Sequence, residues 1–245
     1  MNLITVSETA STNSLIASMP DAPHGTVVRA VAQTAGRGQR GNTWESEAGK
    51  NLTLSILVRP AHIAAAEQFL ICRAVSVALV EMLDQILPSG LTAMIKWPND
   101  IYVGDKKICG ILIENSLTGN GIDRSILGIG LNVNQCEFLS DAPNPVSIIN
   151  LNGGHELDLQ PLVDMMWHEV DKNLSLCADE SGRAILTRKY DSRLWRGKGF
   201  HTFALPDGSR FVASIDSIAD NGVMTLREPD GTMQSFAFKE VQFVL

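Results

Sequence analysis

The chain has 245 residues, 44% of them apolar and 19% charged, with a formal net charge of −7 at pH 7. That length holds one large domain, or a medium one and a small one, around a sizeable core. The acidic balance argues against general DNA or RNA binding, which needs a basic face, and no run approaches the ~18 apolar residues of a membrane span.

The first residues, MNLITVSETASTN, have neither a basic start nor a long apolar run, so no signal peptide is expected and a cytoplasmic location is. Cys72, Cys109, Cys136 and Cys177 are widely spaced and form no CxxC. They read as buried thiols in a reducing compartment rather than a metal or disulfide framework. Ser11, Thr12 and Asn13 precede Ser14 to Ala17 and read as a capped helix start. Thr26 to Gln33 reads as a strand, and residues 34–50, Gly-rich and polar, as a long loop. Residues 51–59 alternate like a strand that Pro60 ends. Residues 64–87 carry one long helical pattern, ended by Pro88. Short strands follow near 92–97, 101–103, 107–115 and 125–134, with turns at Asn99–Asp100, Gly104–Asp105 and Gly119–Gly121. Residues 159–177 and 182–194 have helical spacing. After Trp195, turns at 206–208, 220–222 and 229–231 separate short apolar runs, which predicts a small all-β barrel of about 50 residues. The domains expected are therefore 1–194 and 195–245.

Between Asp21 and Glu45 there is no acidic residue, while Arg29, Arg37 and Arg40 lie in that window. A locally basic loop on an acidic protein has the character of an anion site. Gly36 to Gly41 formally matches GxGxxG, but no apolar helix opens after it, so a dinucleotide fold is not supported. Ala48 to Asn51 resembles the end of a Walker A loop, yet Trp44 stands where its first glycine should be. The loop still has physical meaning: glycines let backbone N–H groups approach a ligand, and arginines offer forks for carboxylate or phosphate. A solvated surface turn is the bland alternative. A second constellation is KWPND (96–100) followed by KKICGILIE (106–114). Pro98 and the Asn-Asp pair force a tight turn, bringing Lys96, Asn99, Asp100 and Lys107 to one junction. A third piece, GIGLNVN (128–134), places small residues and two asparagines at the end of an apolar strand.

Taken in order, Ser11-Thr12-Asn13, Gln33, GRGQRG, Trp44, NLTLS (51–55), KWPND, KKICGILIE and GIGLNVN resemble the biotin–protein ligases. The resemblance covers residues 9–134 and, more loosely, the C-terminal part. It implies an α+β fold, a mixed β-sheet flanked by helices with a small SH3-like barrel at the C-terminus. It implies a short form without the N-terminal DNA-binding domain of the ligase–repressors, because the Ser-Thr-Asn triplet arrives after ten residues. A homodimer is left open. The reaction implied has two steps: biotin and ATP give biotinyl-5′-AMP and pyrophosphate, then a lysine of a biotin carboxyl carrier protein displaces AMP.

Step one brings an anion onto a polyanion, and two unit charges ~4 Å apart repel by roughly 4 kcal/mol at an effective dielectric near 20. Arg37, Arg40 and Lys107 are the cations expected to offset this, with Mg²⁺ on the pyrophosphate and its protein ligands unknown. By resemblance, Lys107 bridges the biotin carboxylate and the phosphate. Step two needs a neutral amine, and Asp100 is the candidate to orient the ammonium and take its proton. For the biotin ring, whose ureido group has one acceptor and two donors, Ser11, Thr12, Asn13 and Gln33 are the candidate polar partners. Arg37, Gly38, Gln39 and Gly110 complete the expected biotin site. Arg37, Gly38, Arg40, Trp44, Lys107 and Asn132 are expected on the adenylate. Gln39 replaces an arginine common in the family, and the lost charge is expected to weaken retention of the adenylate. The rivals are a lipoate ligase or octanoyl transferase on the same fold, whose substrates would leave Asn13 and Gln33 unpaired, and a non-catalytic module built on the barrel.

Overall fold

The computed structural model describes residues 1–60, 62–140 and 144–244, with Arg40 described in its backbone alone. Among the described residues twelve strands form two sheets. The first contains β1 (Asn2–Thr9), β2 (Thr26–Gln33), β3 (Leu52–Val58), β4 (Ala93–Lys96), β5 (Asp100–Val103), β6 (Lys106–Thr118) and β7 (Gly121–Leu131), in the order β1-β2-β3-β7-β6-β5-β4. β1 runs parallel to β2 and every other pair is antiparallel, so the sheet is mixed. The segment 2–9, to which the sequence assigned no element, is an edge strand only half buried along its length, which blunts its apolar signal.

The helices are α1 (Thr12–Ala17), α2 (Phe69–Asp84), α3 (Ile148–Leu151), α4 (Leu159–Ser175) and α5 (Glu180–Ser192). α2 is buried nearly all round, as a helix between a sheet and other helices must be. The long pattern over 64–87 divides: residues 65–67 make a separate 3₁₀ turn before α2 begins. Asp158 and Asp179 cap α4 and α5 by accepting from Gln160 N and Gly182 N. α1 packs on the opposite face from α2 and α4, where Ile16 meets Val28, Leu57 and Ile126. Strand alternation explains the division: Leu127, Ile129 and Leu131 of β7 face the main core, while Ile126, Gly128 and Gly130 face the side of α1.

The second sheet contains β8 (His201–Ala204), β9 (Arg210–Ile218), β10 (Met224–Arg227), β11 (Met233–Phe236) and β12 (Gln242–Phe243), in the order β11-β10-β9-β8-β12. The three expected turns lie between β8 and β11, each with a glycine at positive φ (Gly208, Gly222, Gly231). The separate C-terminal all-β unit expected is present as an antiparallel five-stranded sheet; among the described residues its outer strands β11 and β12 do not pair. The sheets meet at Trp195, whose backbone N donates to Ile95 O at 2.8 Å and whose ring contacts Tyr102 and Phe243. Cys72, Cys109 and Cys177 are buried as expected, and Cys136 is exposed. Among the described residues no helix is long and apolar enough to cross a membrane.

Candidate active site

One cavity of about 840 Å³ opens on the α1 side of the first sheet and reaches the second sheet at Phe238, Val241 and Phe243. Ser11, Thr12, Asn13, Gln33, Arg37, Gly38, Gln39, Trp44, Asp100, Lys107, Gly110 and Asn132 all line it. Residues from five separate blocks of the sequence therefore share one space. The side chain of Arg40 lies outside the described residues.

At one end is a compact polar network. Ser11 holds the N-cap position of α1 but makes no side-chain cap bond. Thr12 and Asn13 point elsewhere. Thr12 N and Oγ1 donate to Gln33 Oε1 at 2.8 and 3.2 Å. Ser55 Oγ stands 2.7 Å from Thr12 Oγ1 and 2.5 Å from Asn13 Oδ1. Asn13 Nδ2 donates to Glu114 Oε2 at 2.6 Å and to Leu112 O at 3.3 Å. The same Glu114 oxygen accepts from Arg37 at 3.0 Å. Glu114 thus joins α1 to the glycine loop. The triplet is used for the site more than for the helix cap. Asn13 and Gln33 already have partners within the protein, so the expectation that a lipoate pocket would leave them unpaired is corrected; Gln33 spends only its carbonyl oxygen there, which leaves Nε2 for a ligand.

The floor is sheet backbone. Across the pairing register Gly128 stands between Ser55 and Leu112, and Gly130 between Thr53 and Gly110. A Cβ at Gly128 would meet Asn13 Oδ1 at 2.3 Å, and one at Gly130 would meet Trp44 Cε2 at 2.3 Å. Only glycine permits those approaches. Trp44 lies on this bare patch, with Lys107 Nζ 5.6 Å from its ring centroid and its own Nε1 buried without a partner. The loop that carries it is closed at its base, where Trp44 N donates to Gly36 O at 3.0 Å, around a 3₁₀ turn at 39–41.

At the other end Lys107 Nζ stands 2.7 Å from Asp100 Oδ1, both side chains largely buried. Attraction between the ammonium and the carboxylate pairs the two groups. The β5–β6 register puts Asp100 opposite Gly110, which is why the KWPND turn and the lysine strand converge. Asn99 fixes the turn by donating from Nδ2 to Ile111 O at 2.8 Å. Lys96 lines the cavity beside them and donates to Tyr102 Oη at 2.9 Å. Burial holds the Lys96 amine below its ordinary range, with Lys107 and Arg196 acting the same way and Asp100 opposing. Asn132 donates to Val146 O at 3.0 Å and keeps a buried Oδ1 without a partner. Glu45 is occupied: both its oxygens accept, from Leu139 N and Ser140 N. Burial tends to raise its carboxyl, and the hydrogen bonds from Ser140, Leu139 and Gln135 outweigh that and hold it low.

A model of the biotin/lipoate A/B protein ligase family matches residues 4–132, more than half of the chain. The chain belongs to that family. Within it, the biotin–[acetyl-CoA-carboxylase] ligase of Mycobacterium tuberculosis is 32% identical over 234 residues, covering 90% of this chain and 81% of that protein. The corresponding ligase of Paracoccus denitrificans is 30% identical, covering 83% and 85%. The bifunctional ligase/repressor BirA of Bacillus subtilis is 28% identical over 89% of this chain. The chain spans 66% of that relative's length, just under two thirds. A solved biotin protein ligase from Aquifex aeolicus, in complex with biotin and ATP, has a TM-score of 0.80 at 23% identity and covers 99% of both chains, a likeness of fold.

The sequence left without a role Lys96, which lines the cavity, and Ser55 and Glu114, which hold the lining residues Thr12, Asn13 and Arg37. All three lie inside blocks it singled out. Ser55 and Glu114 sit on strands at positions that read as solvent-facing, and nothing local says that α1 covers that face.

Proposed function

We propose that the chain activates biotin with ATP and transfers it to a lysine of a biotin carboxyl carrier protein. One observation carries this reading: Arg37, Asp100 and Lys107 line the same cavity as Asn13 and Gln33. The relatives named as biotin ligases favour biotin over the alternative, lipoate or octanoate.

The polar end takes the ureido group, with Gln33 Nε2 as donor and Thr12, Asn13 and Ser55 behind it. Gly128 lets Asn13, and Gly110 and Gly130 let Trp44, lie against sheet backbone, so these two side chains bound the space for the bicycle and its tail. Lys107 and Arg37 offset repulsion as the carboxylate approaches the α-phosphate, and they act in a partly dry cavity where such charges count for more. Trp44, Gly38 and Asn132 form the nucleotide side. In step two the amine nitrogen attacks the acyl carbon, the bond to the AMP oxygen breaks with its electron pair leaving on AMP, and Asp100 takes the proton. A free lysine holds that proton with a pKa near ~10.4, so losing it at pH 7 costs about 4–5 kcal/mol. The glycine loop excludes water from the mixed anhydride. Mg²⁺ does not find a ready protein cage: Glu45 is occupied, Asp100 is paired, and no three ligating side chains cluster among the described residues. We assign it to the phosphates of ATP.

Pyrophosphate exchange into ATP, run with biotin, lipoate and octanoate in turn, tests substrate and first step together. Exchange with biotin alone is expected. Exchange with lipoate or octanoate and none with biotin would overturn the reading.

A further inference from the structure

Arg73 stands within α2 and is 2% exposed. A buried cation is costly unless paired and hydrogen bonded. Both of its acceptors lie outside α2, at the end of β9 and in the turn that follows it. One guanidinium nitrogen donates to the Asp220 carboxylate and the other to Ile218 O, between the rings of Phe69 and Tyr190 at 5.6 and 5.9 Å. Ile218 and Asp220 belong to the β9–β10 turn. That turn closes on itself through Ala219 N to Val223 O and Gly222 N to Ala219 O, each 2.9 Å, and Phe69 N holds Asp220 O at 3.2 Å.

The turn reaches back to the cavity. Gly222 O accepts from Trp97 Nε1 at 3.0 Å, and Trp97 is the second residue of the KWPND hairpin that carries Lys96 and Asp100. Cys72, the neighbour of Arg73, touches the same hairpin through Pro98 O at 3.1 Å. Arg73 itself does not line the cavity. An apolar side chain of similar volume would often serve stability equally well. What only a planar fork supplies is two directed bonds that fix the orientation of the turn.

The geometry points to Arg73 as a positioning residue: it fixes the 218–222 turn, and through Trp97 that turn sets where Lys96 and Asp100 stand. The second sheet is then the outer support of the reacting end of the cavity. This rests on the proposed function only for which reaction is timed, since any acid the protein adenylates reports on the same hairpin.

The test is a double-mutant cycle with Arg73→Met and Trp97→Phe, the second of which keeps a ring and removes the Nε1 donor. Transfer of the activated acid to the carrier lysine, the step assigned to Asp100, is followed with whichever acid the parent activates. Each single variant is expected to lower kcat roughly tenfold, short of the ~hundredfold that a 1 Å misplacement can cost. KM for the acid stays within about twofold, because the Asn13–Gln33 end is untouched. The double variant is expected to be no slower than the slower single one, since both cut one chain of contacts. Losses that multiply, or a lower melting temperature with kcat unchanged, would overturn the proposal. Should Arg73→Met fail to fold, Arg73→Lys, which keeps the charge and loses the fork, takes its place in the cycle. A parent that activates lipoate instead of biotin defeats the substrate assignment and leaves the cycle to decide Arg73.

Discussion

Glu114 accepts from Asn13 on α1 and from Arg37 on the glycine loop through one oxygen. Replacing it with glutamine keeps the volume and removes the charge that orients both. Charge-assisted bonds contribute ~1.5–3 kcal/mol, so Glu114→Gln is expected to raise KM for biotin roughly tenfold or more in the exchange assay, with a smaller change in kcat. Lys107 and Asp100 separate the two steps. Lys107→Ala is expected to reduce exchange by about a hundredfold or more, on the scale of removing one donor to a developing charge; full carrier labelling by this variant would refute its assigned role. Asp100→Asn is expected to retain exchange within a few-fold while slowing transfer to the carrier by about 10²–10⁴. At Gln39, an arginine is expected to lengthen the lifetime of bound adenylate, read as slower release in a filter assay. Equal release rates would dismiss the idea.

At the level of elements, α2, α4 and α5 are joined by a charged cluster. Glu81 contacts Lys189 at 2.8 Å, Lys172 at 3.0 Å and Asn173 Nδ2 at 3.0 Å. Burial works to raise its carboxyl, but the bonds from Asn173, Lys189 and Lys172 outweigh it and bring it to about 2. A carboxyl lowered on folding stabilises above its unfolded pKa, near ~4.3, and loses that contribution as pH falls toward the folded value. Glu81→Gln is therefore expected to melt lower than the parent at pH 7, by roughly 2–4 °C, with the gap closing between pH 4 and pH 2. What was legible in the sequence follows the same physics. The KWPND turn, the glycine loop and the turns of the second sheet were visible because Pro, Gly and Asn-Asp pairs mark unusual backbone. Strand β1 was not, because an edge strand buries too little to alternate clearly. The start of α2 was misjudged because the apolar residues 64–66 continue its composition without its geometry. The second sheet was read from the frequency of its turns, which carries no information about whether its outer strands meet.

Across the whole molecule the two sheets share a seam made by Trp195, Trp97 and Arg73. We propose that the chain divides at 194/195, with the two parts unfolding as one. A calorimetric scan of the whole chain is expected to show a single transition, and residues 1–194 alone to lose exchange, since the cavity loses its wall at Phe238, Val241 and Phe243 and Trp97 is uncovered. Two resolved transitions would count against that coupling. The glycine floor has a consequence for redesign. Gly110, Gly128 and Gly130 present main chain rather than side chain, so the chamber cannot be deepened by trimming residues from below. Any variant meant to admit a bulkier analogue of the vitamin must gain its headroom from the ceiling, at Trp44 and the first turn of α1.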